Sequence, residues 1–308
     1  MKRLALSLAA VALLSPLTVL QAQVKLEHKF PDGRKTTVNT YVRVEQTLTI
    51  GGMDIPTISE QNITTTTANG KRQADGKLES QHKITSLQST LNVVGMELTF
   101  DSANPDAPAP GTQLDSLLDV FKAIAGSNWT MTYGEDNTVL SVKGSEAALE
   151  GLSDELKAAA EGQLDPENLV NQSNQELKVL PDEPVKQGDT WEREEVVVFD
   201  AYQSMTFKTV YKYEGTVEKG GKMLDKITSK TTEVTYKMKA DSPSPLKIVD
   251  SDLKVEDSTG TILFDRAAGM FVDAMDKKHV VGSIKCDING QELPGKLDLS
   301  FETTTNQS

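Results

Sequence analysis

The chain has 308 residues and a single cysteine, Cys286, so an intramolecular disulfide is impossible and core burial must stabilise the fold. Acidic side chains outnumber basic ones by 45 to 32, which gives a formal net charge of −13 at pH 7. Because this charge repels phosphate backbones and anionic headgroups, it excludes nucleic acid and anionic membranes as favoured partners. Aromatic residues make up only 5% of the chain, which predicts an aliphatic core.

Residues 1–22 have the pattern of a secretory signal peptide. Lys2 and Arg3 precede an apolar stretch from Leu4 to Leu20, and the small residue Ala22 follows it. Because the stretch is short and broken by a proline, a membrane span is disfavoured. We therefore expect cleavage near Ala22 and a soluble mature protein, periplasmic or secreted, without a transmembrane segment.

Residues 23–103 are predicted to form an antiparallel β meander. Apolar side chains occupy even positions from Val38 to Ile50, which is the two-residue period of a half-buried strand. Gly51 and Gly52 then predict a turn, and two further strands follow, the first of them rich in threonine. One face of this meander is expected to contact solvent.

Residues 104–180 are predicted to connect the β regions through helices and a short hairpin. A proline-rich stretch precedes a helix predicted near 112–125, and a second helix is predicted near 145–161. A third helix should begin at Asp165, whose side chain can cap it, with a proline in the first turn. Such short helices are marginal alone in water, so they should pack on a sheet.

Residues 181–308 are predicted to return to antiparallel β structure. Bulky side chains at alternate positions share one face of two predicted strands: Met205, Phe207, Tyr211, Tyr213, Tyr236 and Met238. The order of strands, helices and strands favours an α+β fold. We expect mostly antiparallel β structure, either one large curved sheet or two half-barrels, crossed by two or three helices.

No residue pattern indicates a catalytic or metal site. His28, His82 and His279 do not stand at metal-ligand spacing from another histidine, a cysteine or a close carboxylate. Cys286 falls on the apolar face of a strand, where burial would make its thiol inert. Ser251–Lys254 matches a short nucleophile motif but lies in a strand-like stretch, and no pattern singles out a carboxylate pair. We therefore expect no enzymatic activity and no cofactor.

Four segments are distinctive in composition: Asp101–Asn104, Leu180–Trp191, Tyr211–Gly215 and Gly260–Gly269. Together they resemble a family of exported, β-rich bacterial proteins known only as a domain of unknown function. The resemblance covers most of the mature chain and implies no catalytic residue. It implies architectural roles instead, in which Trp191 fills a core and Asp265 ties down a hairpin.

Two non-enzymatic functions are compatible with these predictions, and a hydrolase that uses carboxylates marked by no pattern is a third alternative. A concave apolar sheet face under helices suits a carrier of a hydrophobic small molecule or lipid, and the six bulky side chains named above would line its cavity. This analogy rests on the fold alone. In the alternative interpretation those side chains form a closed, dry core, and the protein is a non-enzymatic structural or interaction protein with an envelope protein as partner.

Overall fold

The computed structural model describes residues 23–200, 202–240, 242, 244, 246–288 and 290–308. They form one large antiparallel sheet of twelve strands that does not close, together with three α-helices. The prediction of a mostly antiparallel α+β fold is confirmed, and of the two arrangements it allowed, the single sheet is the one found. The predicted signal peptide lies outside the described residues. Within them, no helix is long and apolar enough to cross a membrane.

The strands, in chain order, are β1 (Lys35–Ile50), β2 (Met53–Asn69), β3 (Leu78–Val93), β4 (Met96–Asp101), β5 (Asn128–Tyr133), β6 (Val139–Lys143), β7 (Thr190–Val198), β8 (Gln203–Lys219), β9 (Lys222–Met238), β10 (Leu246–Asp265), β11 (Met270–Ile288) and β12 (Gln291–Gln307). The α-helices are α1 (Leu117–Gly126), α2 (Asp154–Leu164) and α3 (Pro166–Leu177). The short strand β4 was not predicted, and α1 begins later than predicted.

The second predicted helix is divided, and the third is confirmed. Ser145 begins only a short 3-10 helix, and α2 starts at Asp154. Gly151, between them, has a φ of 90°, a left-handed conformation that interrupts a helix and that glycine adopts without a steric penalty. α3 begins as predicted, because Asp165 Oδ1 accepts a hydrogen bond of 2.8 Å from the backbone N–H of Asn168.

The strand order places the first and last strands at the centre of the sheet. It runs β6-β5-β3-β2-β1-β12-β11-β10-β9-β8-β7, with β4 paired to β3. The two edges, β6 and β7, are consecutive in the chain, and the segment that joins them contains α2 and α3. The chain must therefore pass through helices to travel from one edge of the sheet to the other.

The β7–β12 part of the sheet curls until its inner face meets itself. Lys278 Nζ on β11 lies 3.4 Å from Glu195 Oε2 on β7. Phe207 on β8 meets Phe301 on β12 edge-on, with ring centroids 6.0 Å apart. These strands are not neighbours in the sheet, so only strong curvature can bring them together. The buried cluster between them contains Leu48, Ile50, Met205, Phe207, Val234, Val280, Ile284, Cys286, Leu297 and Leu299.

The architectural roles implied for Trp191 and Asp265 match contacts in the structure. The Trp191 indole stacks on Tyr211 with centroids 5.9 Å apart, and its Nε1 donates to the carbonyl of Val179 at 2.8 Å. Asp265 Oδ1 accepts from the backbone N–H of Ala268 at 2.9 Å in the turn between β10 and β11. Both side chains thus bind residues outside the strands, Val179 and Ala268, which the backbone hydrogen bonds of the sheet do not hold.

Helix α3 connects the two edges of the sheet through neighbouring amide side chains. Asn174 Oδ1 accepts from the N–H of Val139 on β6 at 2.8 Å, and its Nδ2 donates to the carbonyl of the same residue at 2.9 Å. The next residue, Gln175, accepts from the N–H of Val196 on β7 through Oε1. Since edge strands expose unpaired backbone groups, these two amides satisfy both edges at once.

Replacing Asn174 by alanine is expected to destabilise the protein by about 2 kcal/mol, because the N–H and C=O of Val139 both lose their partner. Urea unfolding followed by circular dichroism measures the change. Asn171→Ala is the matched control, since Asn171 lies on the exposed side of the same helix. Equal losses in the two variants would show that the amide bridge to β6 does not contribute.

Candidate ligand-binding hollow

Helix α3 faces the inner side of the sheet without packing tightly on it. Its inward side chains follow the helical repeat: Leu169, Gln172, Ser173, Glu176 and Leu177. A helix that covers a sheet normally buries such a stripe, yet none of the residues of α3 is buried. Leu169 and Leu177 are half-buried against the cluster formed by β3, β5 and β6, and a space remains beside these contacts.

The space is a hollow of about 360 Å³, within the range of about 300 to 1,000 Å³ typical of small-molecule sites. Its floor comes from the inner face of β1, β2, β3 and β5, its roof from α3, and one side from residues 28–30 and 269–271. Apolar and aromatic side chains on its walls, among them Phe30, Met131, Tyr133, Leu169, Leu177 and Phe271, alternate with polar ones, several of which are threonines. Its shape and lining suit an apolar guest.

The segment that leads to Phe30 belongs to the fold from Val24 onward. Val24 and Val185 exchange backbone hydrogen bonds of 2.8 and 2.9 Å, and Leu26 is 2% exposed. The N–H of Lys29 donates to the carbonyl of Gly269 at 3.0 Å. Cleavage near residue 22 would therefore leave the wall of the hollow intact.

Two histidines, far apart in sequence, lie in the walls of the hollow. The His28 ring meets Phe271 edge-on with centroids 4.9 Å apart, and the His82 ring stacks on Trp129 at 5.5 Å. The Nε2 atoms of both histidines and Nε1 of Trp129 are buried without a hydrogen-bond partner among the described residues. Burial lowers the pKa of His28 and of His82 to about 4, so both rings are neutral at pH 7.

Glu176 is the one carboxylate among the described residues that line the hollow. It lies between Ser173 and Leu177 on the inward stripe of α3, where an apolar side chain is typical. Its side chain is exposed, yet desolvation, followed by the negative charge of Glu195, raises the pKa of its carboxyl group. These two facts agree if the accessible surface of Glu176 faces the hollow and not bulk solvent.

The third histidine lies elsewhere. On the outer surface, Nε2 of His279 is 2.9 Å from Asp298 Oδ1, and its Nδ1 is 3.2 Å from Glu256 Oε2. The two ring nitrogens contact different carboxylates, so these three side chains do not converge on one point. His279 is separate from the hollow and is not among its lining residues.

Residues 75–271 match the model of a family of unknown function, DUF6263. The chain belongs to this family. The resemblance to a domain of unknown function, proposed from four short segments, is thereby confirmed. No curated protein matches this DUF6263 member.

Solved structures resemble the DUF6263 chain only distantly. A lipovitellin structure, described as showing lipid–protein interactions, is 10% identical, with a TM-score of 0.44, and the match covers 91% of this chain and 25% of lipovitellin. The chain thus spans a quarter of that protein. A putative exported protein with a YmcC-like fold from Bacteroides fragilis is 9% identical, with a TM-score of 0.21, and the match covers 90% of this chain and 98% of the other.

The six side chains predicted to line a cavity are divided among three places in this DUF6263 structure. Met205 and Phe207 lie in the buried cluster of the curled sheet, and Tyr211 and Tyr213 in a second buried cluster beside Trp191. Tyr236 and Met238 line a separate groove of about 1130 Å³. None of the six is among the described lining residues of the hollow, and ligand contact with them stays a prediction.

The separate groove lies where β9 and β10 diverge. These strands pair only between residues 225–229 and 260–264. At the point of divergence, Ser258 Oγ accepts from the N–H of Thr231 at 2.8 Å and donates to its carbonyl at 3.1 Å. One hydroxyl thus replaces the two backbone bonds that a paired strand would supply, and the opening beyond it reaches Tyr236, Met238 and Leu253.

Proposed function

We propose that this chain is a non-enzymatic binding protein that works outside the cytoplasm and holds a hydrophobic or amphipathic small molecule in the hollow under α3. The observation that carries the proposal is the hollow left between α3 and the sheet, where Leu169 and Leu177 pack on the strands but no residue of the helix is fully buried. Leaving such surface unpacked is unfavourable for the free protein, and a bound ligand would remove it from water.

The chemistry of the candidate reactive groups supports a role in binding. Cys286 is fully buried in the cluster of the curled sheet, and burial raises the pKa of its thiol, which disfavours the nucleophilic thiolate. Ser173, on the wall of the hollow, has its hydroxyl 3.8 Å from the sulfur of Met131. In the described part of the chain this hydroxyl donates to the thioether and makes no hydrogen bond to a histidine or carboxylate that would activate it.

Export is part of the proposal and rests on the pattern of residues 1–22. Among the described residues, which begin at Gln23, the first with a backbone pair is Val24, whose partner is Val185. The intact mass of the protein recovered from the periplasm of an expressing bacterium tests this part. We expect a mature chain that begins at Gln23, and a full-length mass in the cytoplasm would contradict it.

Ligand binding is tested by native mass spectrometry of the mature protein and by titration with a fluorescent fatty-acid probe. We expect a lipid-sized adduct or a saturable probe signal. Ser173→Trp would fill the hollow and should weaken probe binding at least tenfold, whereas Asn171→Trp, on the exposed side of α3, should not. Absence of both adduct and probe binding, or equal binding by the two variants, would contradict a ligand in this hollow.

A second candidate function is that of an envelope interaction protein, and one surface favours it. Met53, Val94 and Met96, at the turns of two neighbouring hairpins, are exposed by 71%, 55% and 37%. The hairpins are joined by the Val94 N–H, which donates to the carbonyl of Pro56 at 3.0 Å. Crosslinking with the wild type and with Val94→Glu tests this surface, and a partner lost only in the variant would support it.

A further inference from the structure

The Glu176 carboxylate has no counter-charge within the described part of the chain. It makes no hydrogen bond or ion pair there, and the charge that acts on it is that of Glu195, another carboxylate. Glu195 itself lies 3.4 Å from the ammonium of Lys278, which also binds Asp276. That cation is therefore already shared by two acids. A third acid inside an apolar hollow is costly to ionise unless a cation arrives from outside.

The cationic side chains at the rim of the hollow are engaged elsewhere. Lys29 Nζ donates to the carbonyls of Arg266 and Ala267 at 3.0 and 3.4 Å. Arg34 donates to the carbonyls of Lys29 and Ala268. Both side chains are held by backbone oxygens at the edge of the N-terminal segment, and neither forms an ion pair with Glu176.

Aromatic rings line the same hollow as the Glu176 carboxylate. Phe30 and Tyr133 lie on the walls with ring centroids 4.7 Å apart, and Phe271 faces the same space. Tyr133 and Glu176 both line the hollow, and burial, followed by the charge of Glu176, raises the pKa of the Tyr133 phenol. Aromatic faces attract cations through their quadrupole, most strongly where water is excluded.

We infer that the hollow prefers amphiphiles with a cationic headgroup, such as an alkylammonium, whose nitrogen pairs with Glu176 beside Tyr133 while the chain lies against the apolar walls. This inference rests on the proposed binding function and adds the charge of the ligand to it. A fatty acid would place its carboxylate near Glu176 and be repelled. A neutral alcohol would gain the apolar contacts without the charge interaction.

Isothermal titration calorimetry at pH 7 with decyltrimethylammonium, decanoate and 1-decanol, each below its micelle concentration, tests the inference. We expect the cation to bind at least tenfold more tightly than decanoate, because charged contacts in a desolvated site outweigh those in water. Glu176→Gln should weaken binding of the cation about tenfold or more and leave decanol unchanged. Glu167→Gln, which removes the same charge outside the hollow, should leave all three affinities unchanged.

The outcomes separate the two proposals. If decanol binds but the cation has no advantage over decanoate, or if Glu176→Gln retains that advantage, the charge preference is wrong and the apolar site stands. If Glu167→Gln lowers the cation affinity as much as Glu176→Gln, the effect comes from the net charge and the inference is overturned. If none of the three probes binds the wild type, the proposed function and the charge preference both fail.

Discussion

Lowering the pH from 7 to 5 is expected to destabilise this protein by about 4 kcal/mol through His28 and His82 alone. Each has a pKa of about 4 in the folded protein, against an ordinary value of about 6.5 in the unfolded chain. At pH 5 the unfolded state therefore binds protons that the folded state does not. Linkage converts this difference into about 2 kcal/mol for each ring.

Stability falls with falling pH because burial lowers the pKa of these two histidines in the folded state. The stabilisation is complete above about pH 6.5 and is lost progressively as the pH falls toward 4. Asp101 and Asp265 have lowered pKa values, so their contribution is lost only below this window. Glu176 changes the stability in the opposite direction, because its pKa is raised in the folded state. Its protonation at low pH therefore favours folding and offsets part of the loss.

Urea unfolding at pH 7, 6 and 5 measures the effect. A variant with His28→Phe and His82→Phe retains aromatic rings in the walls but has nothing to protonate, and should show little loss of stability over this range. A double variant as acid-sensitive as the wild type would show that the two buried rings are not responsible.

Replacing Phe207 by alanine is expected to cost about 4 kcal/mol of stability. Phe207 is 1% exposed and lies in the closed cluster where β8 meets β12. Removing a fully buried phenylalanine loses its transfer free energy and leaves a cavity that the surrounding strands cannot refill. The neighbouring cation adds to this cost, since Lys278 Nζ lies 5.2 Å from the ring centroid.

Phe199→Ala is the matched control, because its ring stacks on the same partner, Phe301, at 6.1 Å but is 36% exposed. Thermal and urea unfolding of both variants should show a several-fold larger loss for Phe207→Ala. The same pair tests the sequence-based prediction that Phe207 lines a ligand cavity. If Phe207→Ala is nearly neutral for stability but abolishes probe binding, the cluster is an occupied site and not a dry core.

The sequence determined the local structure and which face of each strand is apolar. The alternation from Met205 to Tyr213 places one face of β8 inward, and Asp165 begins α3 through its side chain. Both are readable because the side-chain periods of strands and helices are properties of neighbouring residues. The same reasoning placed Cys286 on a buried face, where it lies.

Only the tertiary structure decided which apolar faces close on each other and which leave a space. Periodicity shows that Phe207 points inward, but not that it meets Phe301 or that a hollow remains beneath α3. Those distances depend on the curvature of the whole sheet and on α3 joining its two edges, and no short segment encodes either. For the same reason, Glu176 was an ordinary helical glutamate until the fold placed it beside Tyr133.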